Sequence, residues 1–128
     1  MAKVPVFVSF DYDHDFDCKT LLVGQAALAD SPFEIKDESI TVATTNWKDE
    51  ARKRIRRCDQ VMVVCGEHTN TATGVNEEIR IARDEGKPYF LIDGRPNGTA
   101  RKPTAALDGD KIYNWTWPNL KSLLAGGR

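Results

Sequence analysis

Residues 61–92 read VMVVCGEHTNTATGVNEEIRIARDEGKPYFLI, and this stretch decides the fold. An apolar run of strand length comes first, a polar loop leads from it into an amphipathic segment, and a second apolar run ends the stretch. Gly86 and Pro88 lie between the amphipathic segment and the second run, where they stop a helix. Two buried strands joined by a helix predict a right-handed crossover between parallel strands.

The same alternation of strands and helices continues on both sides of this unit. Residues 93–111 are rich in Gly, Pro, Asn and charge, so we predict a long surface loop there, and residues 126–128 are expected to fray. The alternation predicts one α/β domain, residues 1–128, with a flavodoxin-like three-layer fold, in which a five-stranded, mostly parallel sheet carries helices on both faces. The predicted strands are 4–10, 33–35, 60–65, 89–92 and 112–115, and the predicted helices are 14–29, 47–57, 74–85 and 118–124.

Helical spacing also predicts which side chains the first two helices bury. Asp13 or Asp15 can cap the first helix, and Asn46 can cap the second. The predicted buried faces consist of Cys18, Leu21, Leu22, Gln25 and Leu28 in the first helix and of Trp47, Ala51, Ile55 and Cys58 in the second.

Composition sets the class of protein. The chain has 128 residues, 41% of them hydrophobic and 29% charged, with a formal net charge of -1, which is typical of one soluble globular domain without the basic field that attracts nucleic acid. The apolar runs are too short to span a membrane and no secretory signal is recognisable, so we expect a cytoplasmic protein. Three cysteines without a Cys-x-x-Cys pair predict buried free thiols.

Glu78 is the residue that points most directly to function. Val75, Ile79 and Ala82 share the stripe of the third helix that faces the sheet. Glu78 falls within that stripe, whereas Glu77 is predicted to point to water. A glutamate in the first turn can simply complement the helix dipole. The sharper interpretation is a catalytic carboxylate at the rim of a cleft, and the helix alone leaves both open.

Three segments follow one another along the chain: VFVSFDYDHD at 6–15, IRRCDQVMVVCGEHT at 55–69 and TGVNEEIRIARDEGKPYFLI at 73–92. Together they resemble the TIR-like domains of bacterial and archaeal proteins, including those of Thoeris-type antiphage defence. The resemblance covers residues 3–93. In enzymatic members the third helix commonly opens with Trp-Cys-x-x-Glu; the matching positions here are 74–78, so Gly74 and Val75 stand where Trp and Cys are usual, and Glu78 aligns with the catalytic glutamate.

The resemblance implies hydrolysis or cyclisation of NAD at its nicotinamide ribosyl bond, with NAD as substrate and neither cofactor nor metal. Nicotinamide leaves from a pyridinium that is already positively charged, so no general acid has to protonate it. One carboxylate can then suffice if it binds the ribose hydroxyls and stabilises an oxocarbenium-like transition state. The resemblance assigns that role to Glu78.

Ligands of flavodoxin-like sheets bind beyond the carboxyl ends of the strands where the strand order reverses, here between the first and third strands. Phe10 or Tyr12 could stack on a nicotinamide or adenine ring, or Phe10 could be a core aromatic. Ser9 and the backbone of Gly66 could hold ribose or phosphate oxygens, or Ser9 could bond only to backbone. The predicted substrate-binding residues are Ser9, Phe10, Asp11, Tyr12, Gly66 and Asn76.

Other charged patterns in the sequence are weaker indications of a functional site. The acidic segment 11–17 resembles the opening of a calcium loop but has Phe16 where glycine is required and Leu22 where glutamate is required. His14 and His68 are too isolated in the sequence to suggest a site, and we interpret both as surface residues. The basic segment 52–57 is either a solvated face or a contact for the acidic segment of another copy.

Two classes of function follow. In the first, the protein cleaves or cyclises NAD to make a nucleotide signal in antiphage defence. In the second, it is a noncatalytic TIR-like interaction module in which Glu78 only complements a helix end, and the basic helix or residues 37–46 bind a partner. Because TIR-like domains often self-associate, the resemblance implies a homo-oligomer or other TIR-like copies as partners, besides NAD or a related nucleotide, and neither nucleic acid nor membrane.

Overall fold

A computed structural model describes residues 3–41, 43 and 45–127 of the chain. Strands and helices alternate along it, with one short 3₁₀ turn, Thr69–Thr71, before the third helix. The elements are β1 (Val4–Ser9), α1 (Phe16–Ala26), β2 (Phe33–Glu38), α2 (Trp47–Arg56), β3 (Gln60–Cys65), α3 (Thr73–Asp84), β4 (Tyr89–Asp93), β5 (Ile112–Tyr113) and α4 (Trp117–Leu124).

The five strands form one sheet in the order β2-β1-β3-β4-β5, and every neighbouring pair is parallel. This confirms the flavodoxin-like α/β fold. All carboxyl ends of the strands meet at one edge of the sheet, and the strand order reverses between β1 and β3. Side chains that follow β1, β2 and β3 are therefore brought together at this edge.

The sheet separates two apolar cores, because successive residues of a buried strand point to opposite faces. On one face, Val6 and Val8 of β1 pack with Cys18 and Leu22 of α1 and with the leucines of α4. On the other face, Phe7 of β1 and alternate residues of β3 pack against α2 and α3. These β3 residues are Val61, Val63 and Cys65. The second core contains Ala51, Ile55, Cys58, Val75, Ile79, Ile81 and Ala82.

The predicted buried face of α1 is partly wrong. Cys18 and Leu22 are buried, but Leu21 is 61% exposed and Leu28 is 51% exposed. The helix ends at Ala26, earlier than predicted, so Leu28 lies in the turn that follows it. In α2 the prediction holds for Ala51 and Ile55, while Trp47 is only half-buried.

β2 is longer than the predicted 33–35, since it runs from Phe33 to Glu38. It is the edge strand beside β1, and an edge strand accepts charged residues that a central strand would not bury. Conversely β5 has only two residues, Ile112 and Tyr113, where 112–115 was predicted. β3 begins and ends as predicted.

Glycines end two of the helices. Gly86 has φ +68°, and the amides of Gly86 and Lys87 donate to Arg83 and Ala82, which closes α3 where the sequence indicated. Gly126 has φ +94° and ends α4 in the same way. Within the segment expected to fray, 126–128, the first two residues are therefore hydrogen-bonded to the helix, and Arg128 lies outside the described residues.

The three cysteines are buried and free, as predicted. Burial raises the pKa of the Cys18 thiol to about 11 and those of Cys58 and Cys65 to about 12, so none of them supplies a thiolate near neutral pH. Over the described ranges, no helix is both long enough and apolar enough to cross a lipid bilayer.

Candidate functional site

Glu78 lies on the buried side of α3, as its position in the apolar stripe predicted, and its side chain is fully buried. Its Oε1 accepts two short hydrogen bonds, from Ser9 Oγ at 2.7 Å and from Ser39 Oγ at 2.6 Å. Among the described residues, Oε2 has no hydrogen-bond partner and no side chain forms an ion pair with this carboxyl. Two hydroxyl groups are thus the polar environment of a buried acid. Glu77 is partly exposed and pairs with Arg80.

Ser9 and Ser39 reach Glu78 because each stands at the end of a strand beside α3. Ser9 is the last residue of β1. Ser39 follows β2 and extends the pairing with β1, because its backbone amide donates a hydrogen bond to the carbonyl of Val8. The Ser39 hydroxyl also accepts from the amide of Phe10 at 3.0 Å. Its hydrogen is therefore directed to Glu78, which fixes one oxygen of the carboxyl in place.

Burial raises the pKa of Glu78 to about 8, because moving the charged form out of water costs more than its interactions return. The hydrogen bonds from Ser39 and Ser9, and the more distant charge of Arg54, act in the opposite direction. Near neutral pH, Glu78 therefore stands close to its titration point, an environment typical of a functional carboxylate.

A cavity of about 250 Å³ lies beside this group at the carboxyl edge of the sheet. Residues 10–14, 39–41 and 71–75 line it, together with His68. Ser39 belongs to the lining and touches the Glu78 carboxyl, whereas Glu78 itself does not reach the cavity wall. One serine hydroxyl therefore stands between the acid and the cavity.

Aromatic side chains form one wall of the cavity. Phe10 and Tyr12 stack with ring centroids 5.7 Å apart, and Phe16 contacts the edge of each ring. Phe10 is buried and belongs to the core beneath β1, so its interpretation as a core aromatic is confirmed. It also lines the cavity, and its stacking on a ligand ring stays a prediction. Tyr12 is 42% exposed, which leaves one face of the stack available to a planar ligand.

His14 and His68, which looked isolated in the sequence, meet on the same wall. Their rings stack with centroids 4.0 Å apart. Asp11 Oδ2 lies 2.8 Å from His14 Nδ1, and Asp11 Oδ1 accepts from the amide of Asp13 at 3.1 Å. Both histidines are exposed loop residues, as predicted. The expectation that they are isolated is wrong, because β1 and β3 are neighbours and the residues that follow them meet.

A second cavity of about 340 Å³ shares His14 and His68 with the first. It is also lined by Asp15, Glu67 and Arg95. Asp15 is buried and has one oxygen, Oδ1, 3.0 Å from Arg95 Nη2, while Oδ2 has no hydrogen-bond partner within the described part of the chain. Arg95 also pairs with Asp17 at 2.7 Å, so a guanidinium supplies the positive charge between these acids.

Gly66 and Asn76, two of the predicted substrate-binding residues, do not line the first cavity. A side chain at Gly66 would overlap the carboxylate of Asp15, and the Gly66 amide donates to Thr69 Oγ1 at 2.6 Å. Asn76 Oδ1 accepts from the amide of Ala105 at 2.7 Å. Both residues therefore hold neighbouring segments in place, a role that their positions in the sequence did not indicate.

The predicted surface loop is partly packed. Within residues 94–111, Arg95 pairs with α1, the amide of Arg101 donates to the carbonyl of Gly66, and Ala105 binds Asn76. Three alanines of this loop also pack against the core between α2, α3 and the sheet. The loop is thus tied to α1, α3 and the end of β3.

The basic helix α2 finds acidic partners within the chain. Arg52 and Arg56 pair with Glu85 at 2.7 and 2.5 Å, and Arg57 pairs with Asp37 at 2.7 Å. Contact with the acidic segment of another copy is therefore not needed to explain these charges. That intermolecular contact stays a prediction.

Of the predicted site residues, the structure brings together Glu78, Ser9, Phe10, Asp11 and Tyr12. Sequence reasoning missed Ser39, although its hydroxyl is as close to Glu78 as that of Ser9. Ser39 follows a weak edge strand whose end could not be read from the sequence. The only signal that could have found it is its place after the strand that neighbours β1 in a flavodoxin-like order.

Comparison with known proteins identifies the family. The family described as "Thoeris protein ThsB, TIR-like domain" matches residues 7–98, which is more than half of the chain. Two curated relatives, the 4-hydroxy-3-methylbut-2-enyl diphosphate reductases of two strains of Stenotrophomonas maltophilia, are each 37% identical over 59 residues, or 46% of this chain and 18% of the relative. Because the chain spans less than a fifth of their length, this similarity carries no conclusion about function. The chain belongs to the ThsB TIR-like domain family of the Thoeris antiphage defence system.

Proposed function

We propose that this protein cleaves or cyclises NAD at the nicotinamide ribosyl bond and so makes a nucleotide signal in antiphage defence. The observation that carries the proposal is the environment of Glu78, a buried carboxyl that is held by two hydroxyl groups, has one oxygen without a partner among the described residues, and stands one serine away from a cavity. A carboxyl with only a structural role would normally have a cation or a full set of donors.

The cavity supports the proposal by its size and lining. Its volume of about 250 Å³ lies below the common range for small-molecule sites, about 300–1,000 Å³, so it suits the nicotinamide and its ribose better than a whole dinucleotide. Tyr12 and Phe10 offer a ring surface for nicotinamide. The adjoining cavity that shares His14 and His68 extends the space available to the rest of the substrate.

Glu78 would act on the ribose. Its ionised form can accept hydrogen bonds from the ribose hydroxyls and stabilise the positive charge that develops on the sugar as nicotinamide leaves. Substrate must reach past Ser39 for this contact, because Glu78 does not line the cavity. We therefore expect the Ser39 hydroxyl to turn from Glu78 to the substrate on binding.

The test is NAD consumption by the purified protein, measured at high protein concentration and in phage-infected lysate. Glu78→Gln keeps the size of the side chain and removes the charge, so we expect it to lower turnover by about 10³-fold. Glu77→Gln is the matched control, since Glu77 is the neighbouring glutamate, pairs with Arg80 and is partly exposed. It should retain the wild-type rate.

The proposal fails if NAD is untouched in both conditions, or if Glu78→Gln consumes NAD as fast as the wild type. In the first case the noncatalytic interaction module becomes the better account. Far-UV circular dichroism of both variants separates a loss of chemistry from a loss of fold.

A further inference from the structure

His14 and His68 stand on the cavity wall without a role in the chemistry of Glu78. They come from the connections that follow β1 and β3, on either side of the point where the strand order reverses. Their rings are stacked at an interplanar angle of 29°, and both line the first cavity and its neighbour. The stack holds the plane of the His14 ring, and about half of that side chain is exposed.

Asp11 sets the tautomer of His14. A carboxylate can only accept, so the 2.8 Å hydrogen bond to Asp11 Oδ2 places the proton of the neutral imidazole on Nδ1. Nε2 is then left with its lone pair. Asp11 is itself held in place, because its Oδ1 accepts from the amide of Asp13. A base oriented by a carboxylate in this way has the geometry of a general-base dyad.

We propose that His14, oriented by Asp11 and by its stack on His68, is the general base that deprotonates the nucleophile attacking C1′ of the ribosyl group. The inference rests on the proposed function and deepens it. The nucleophile is water in hydrolysis, or a hydroxyl of the same dinucleotide in cyclisation.

The step balances without a further reactant. The C1′–N bond breaks, and its electron pair stays on the nicotinamide nitrogen, which becomes neutral. A lone pair of the attacking oxygen forms the new C1′–O bond, and the proton of that oxygen passes to Nε2 of His14. The resulting imidazolium is stabilised by Asp11, and the half-exposed ring can release the proton to solvent.

The two titratable groups of the site, Glu78 and His14, would then have separate roles. Glu78 is fully buried and accepts hydrogen bonds from Ser9 and Ser39, which suits a group that holds ribose hydroxyls. His14 lines the same cavity as Ser39 and is open to solvent. The protein therefore offers a stabilising carboxylate and a separate base on one cavity.

Carboxyl groups surround His14. Arg95 is paired with Asp15 and Asp17, so it offsets acids instead of opposing the imidazolium. The charged and titratable side chains that share the two cavities with His14 are Asp11, Asp13, Asp15, Glu67, His68 and Arg95.

The experiment measures NAD consumption at one pH, with and without sodium azide, in the condition that gives wild-type turnover. Azide is an anionic nucleophile that needs no base. We expect His14→Gln to lower the rate with water by about 10²-fold and to regain most of the rate with azide as a ribosyl azide forms. Glu78→Gln should stay inactive with azide, because it lacks transition-state stabilisation.

Two further variants test the roles of His68 and Asp11 in orienting His14. His68→Phe keeps a ring for the stack and removes the second imidazole, so the rate should fall much less than in His14→Gln. Asp11→Asn leaves the ring but no longer fixes its tautomer, so the rate should fall about tenfold. Circular dichroism and the thermal midpoint establish that each variant is folded.

The proposal is overturned if folded His14→Gln turns over NAD at the wild-type rate, if azide does not restore a slowed His14→Gln, or if His68→Phe slows the reaction as much as His14→Gln does. These results would leave the role of Glu78 standing. Wild-type protein that consumes no NAD in either condition would overturn the proposed function, and this inference with it.

Discussion

Two buried carboxyls at the same edge of the sheet, Glu78 and Asp15, have different partners. Each has one oxygen that finds no partner among the described residues. Asp15 is paired with Arg95, whereas within the described residues Glu78 accepts hydrogen bonds only from Ser9 and Ser39. The comparison teaches that burial alone does not determine the environment of an acid, because a cation balances the charge of one carboxyl and none balances that of the other.

The ion pair between Asp15 and Arg95 links segments that are distant in the sequence. Arg95 at the start of the long loop joins Asp15 and Asp17 at the start of α1, and Asp15 fills the space left by the missing side chain of Gly66. Three segments are held by one guanidinium. Glu78 fastens only the ends of β1 and β2 through two hydroxyl groups, which a substrate hydroxyl could replace.

The largest expected effect is the pH dependence of stability that Glu78 causes. Its folded-state pKa is raised from 4.5 to about 8, so the unfolded chain loses the proton first as pH rises. The free energy of unfolding is therefore highest below about pH 4.5 as far as this group is concerned, and it falls as pH rises through about 8. The loss is on the order of 5 kcal/mol. Urea unfolding between pH 5 and 9 measures it.

Glu78→Gln removes this group and should lose less stability over the same range, so the difference between the two proteins isolates Glu78. Asp15, whose pKa is also raised by burial, titrates in both and cancels. Parallel stability curves for wild type and Glu78→Gln would contradict the contrast between the two acids.

Arg95→Met tests the other acid. The change keeps an apolar stem and removes the guanidinium, so Asp15 is left buried without its cation, and we expect a loss of about 3 kcal/mol in the free energy of unfolding at pH 7. Adding Asp15→Asn to Arg95→Met should recover most of that loss. If Arg95→Met unfolds at the same urea concentration as the wild type, Asp15 needs no counter-ion and the contrast with Glu78 disappears.

Gly66→Ala tests the close approach between β3 and Asp15. An added methyl group would overlap the Asp15 carboxylate, so we expect a loss of about 2 kcal/mol. Gly109 is the matched control, because a side chain there meets open space and Gly109→Ala should leave the thermal midpoint nearly unchanged. Equal midpoints for the two alanine variants would show that the overlap is relieved without cost.

Ser39→Ala should have the smallest effect. It removes one of the two hydroxyl donors to Glu78, which costs about 1 kcal/mol and raises the pKa of that carboxyl further. The pH range over which stability falls should move upward. Ser31→Ala is the control, because Ser31 is a buried serine that bonds to the backbone of Phe33, and it should leave that range in place.

The sequence predicted most of the fold because its signals were strong and local. Apolar spacing predicted the strand 60–65 and the placement of Glu78 among Val75 and Ile79, and the position of Gly86 predicted the end of α3. All three predictions are confirmed. Leu21 was misplaced because α1 is apolar on more than one side, so spacing alone could not tell its buried face from its exposed one. Leu28 was misplaced because α1 ends before it, at Ala26.

The candidate site was only half predicted for a different reason. Ser9, Phe10 and Tyr12 directly follow a strong strand, so their place at the carboxyl edge could be inferred. Ser39 follows an edge strand with weak apolar signal, and the contact between His14 and His68 joins residues 54 positions apart in the chain. Pairings of this kind depend on which strands become neighbours.

By itself, the sequence determined the alternation of strands and helices, the parallel sheet and the presence of an acid on the inner side of α3, because each depends on periodicity within one segment. The tertiary structure alone decided which partners the buried acids received. Hydroxyl groups from the ends of two strands reach Glu78, and an arginine from the long loop reaches Asp15. Those partners come from segments far apart in the chain, and their charge and distance influence the pKa of each acid.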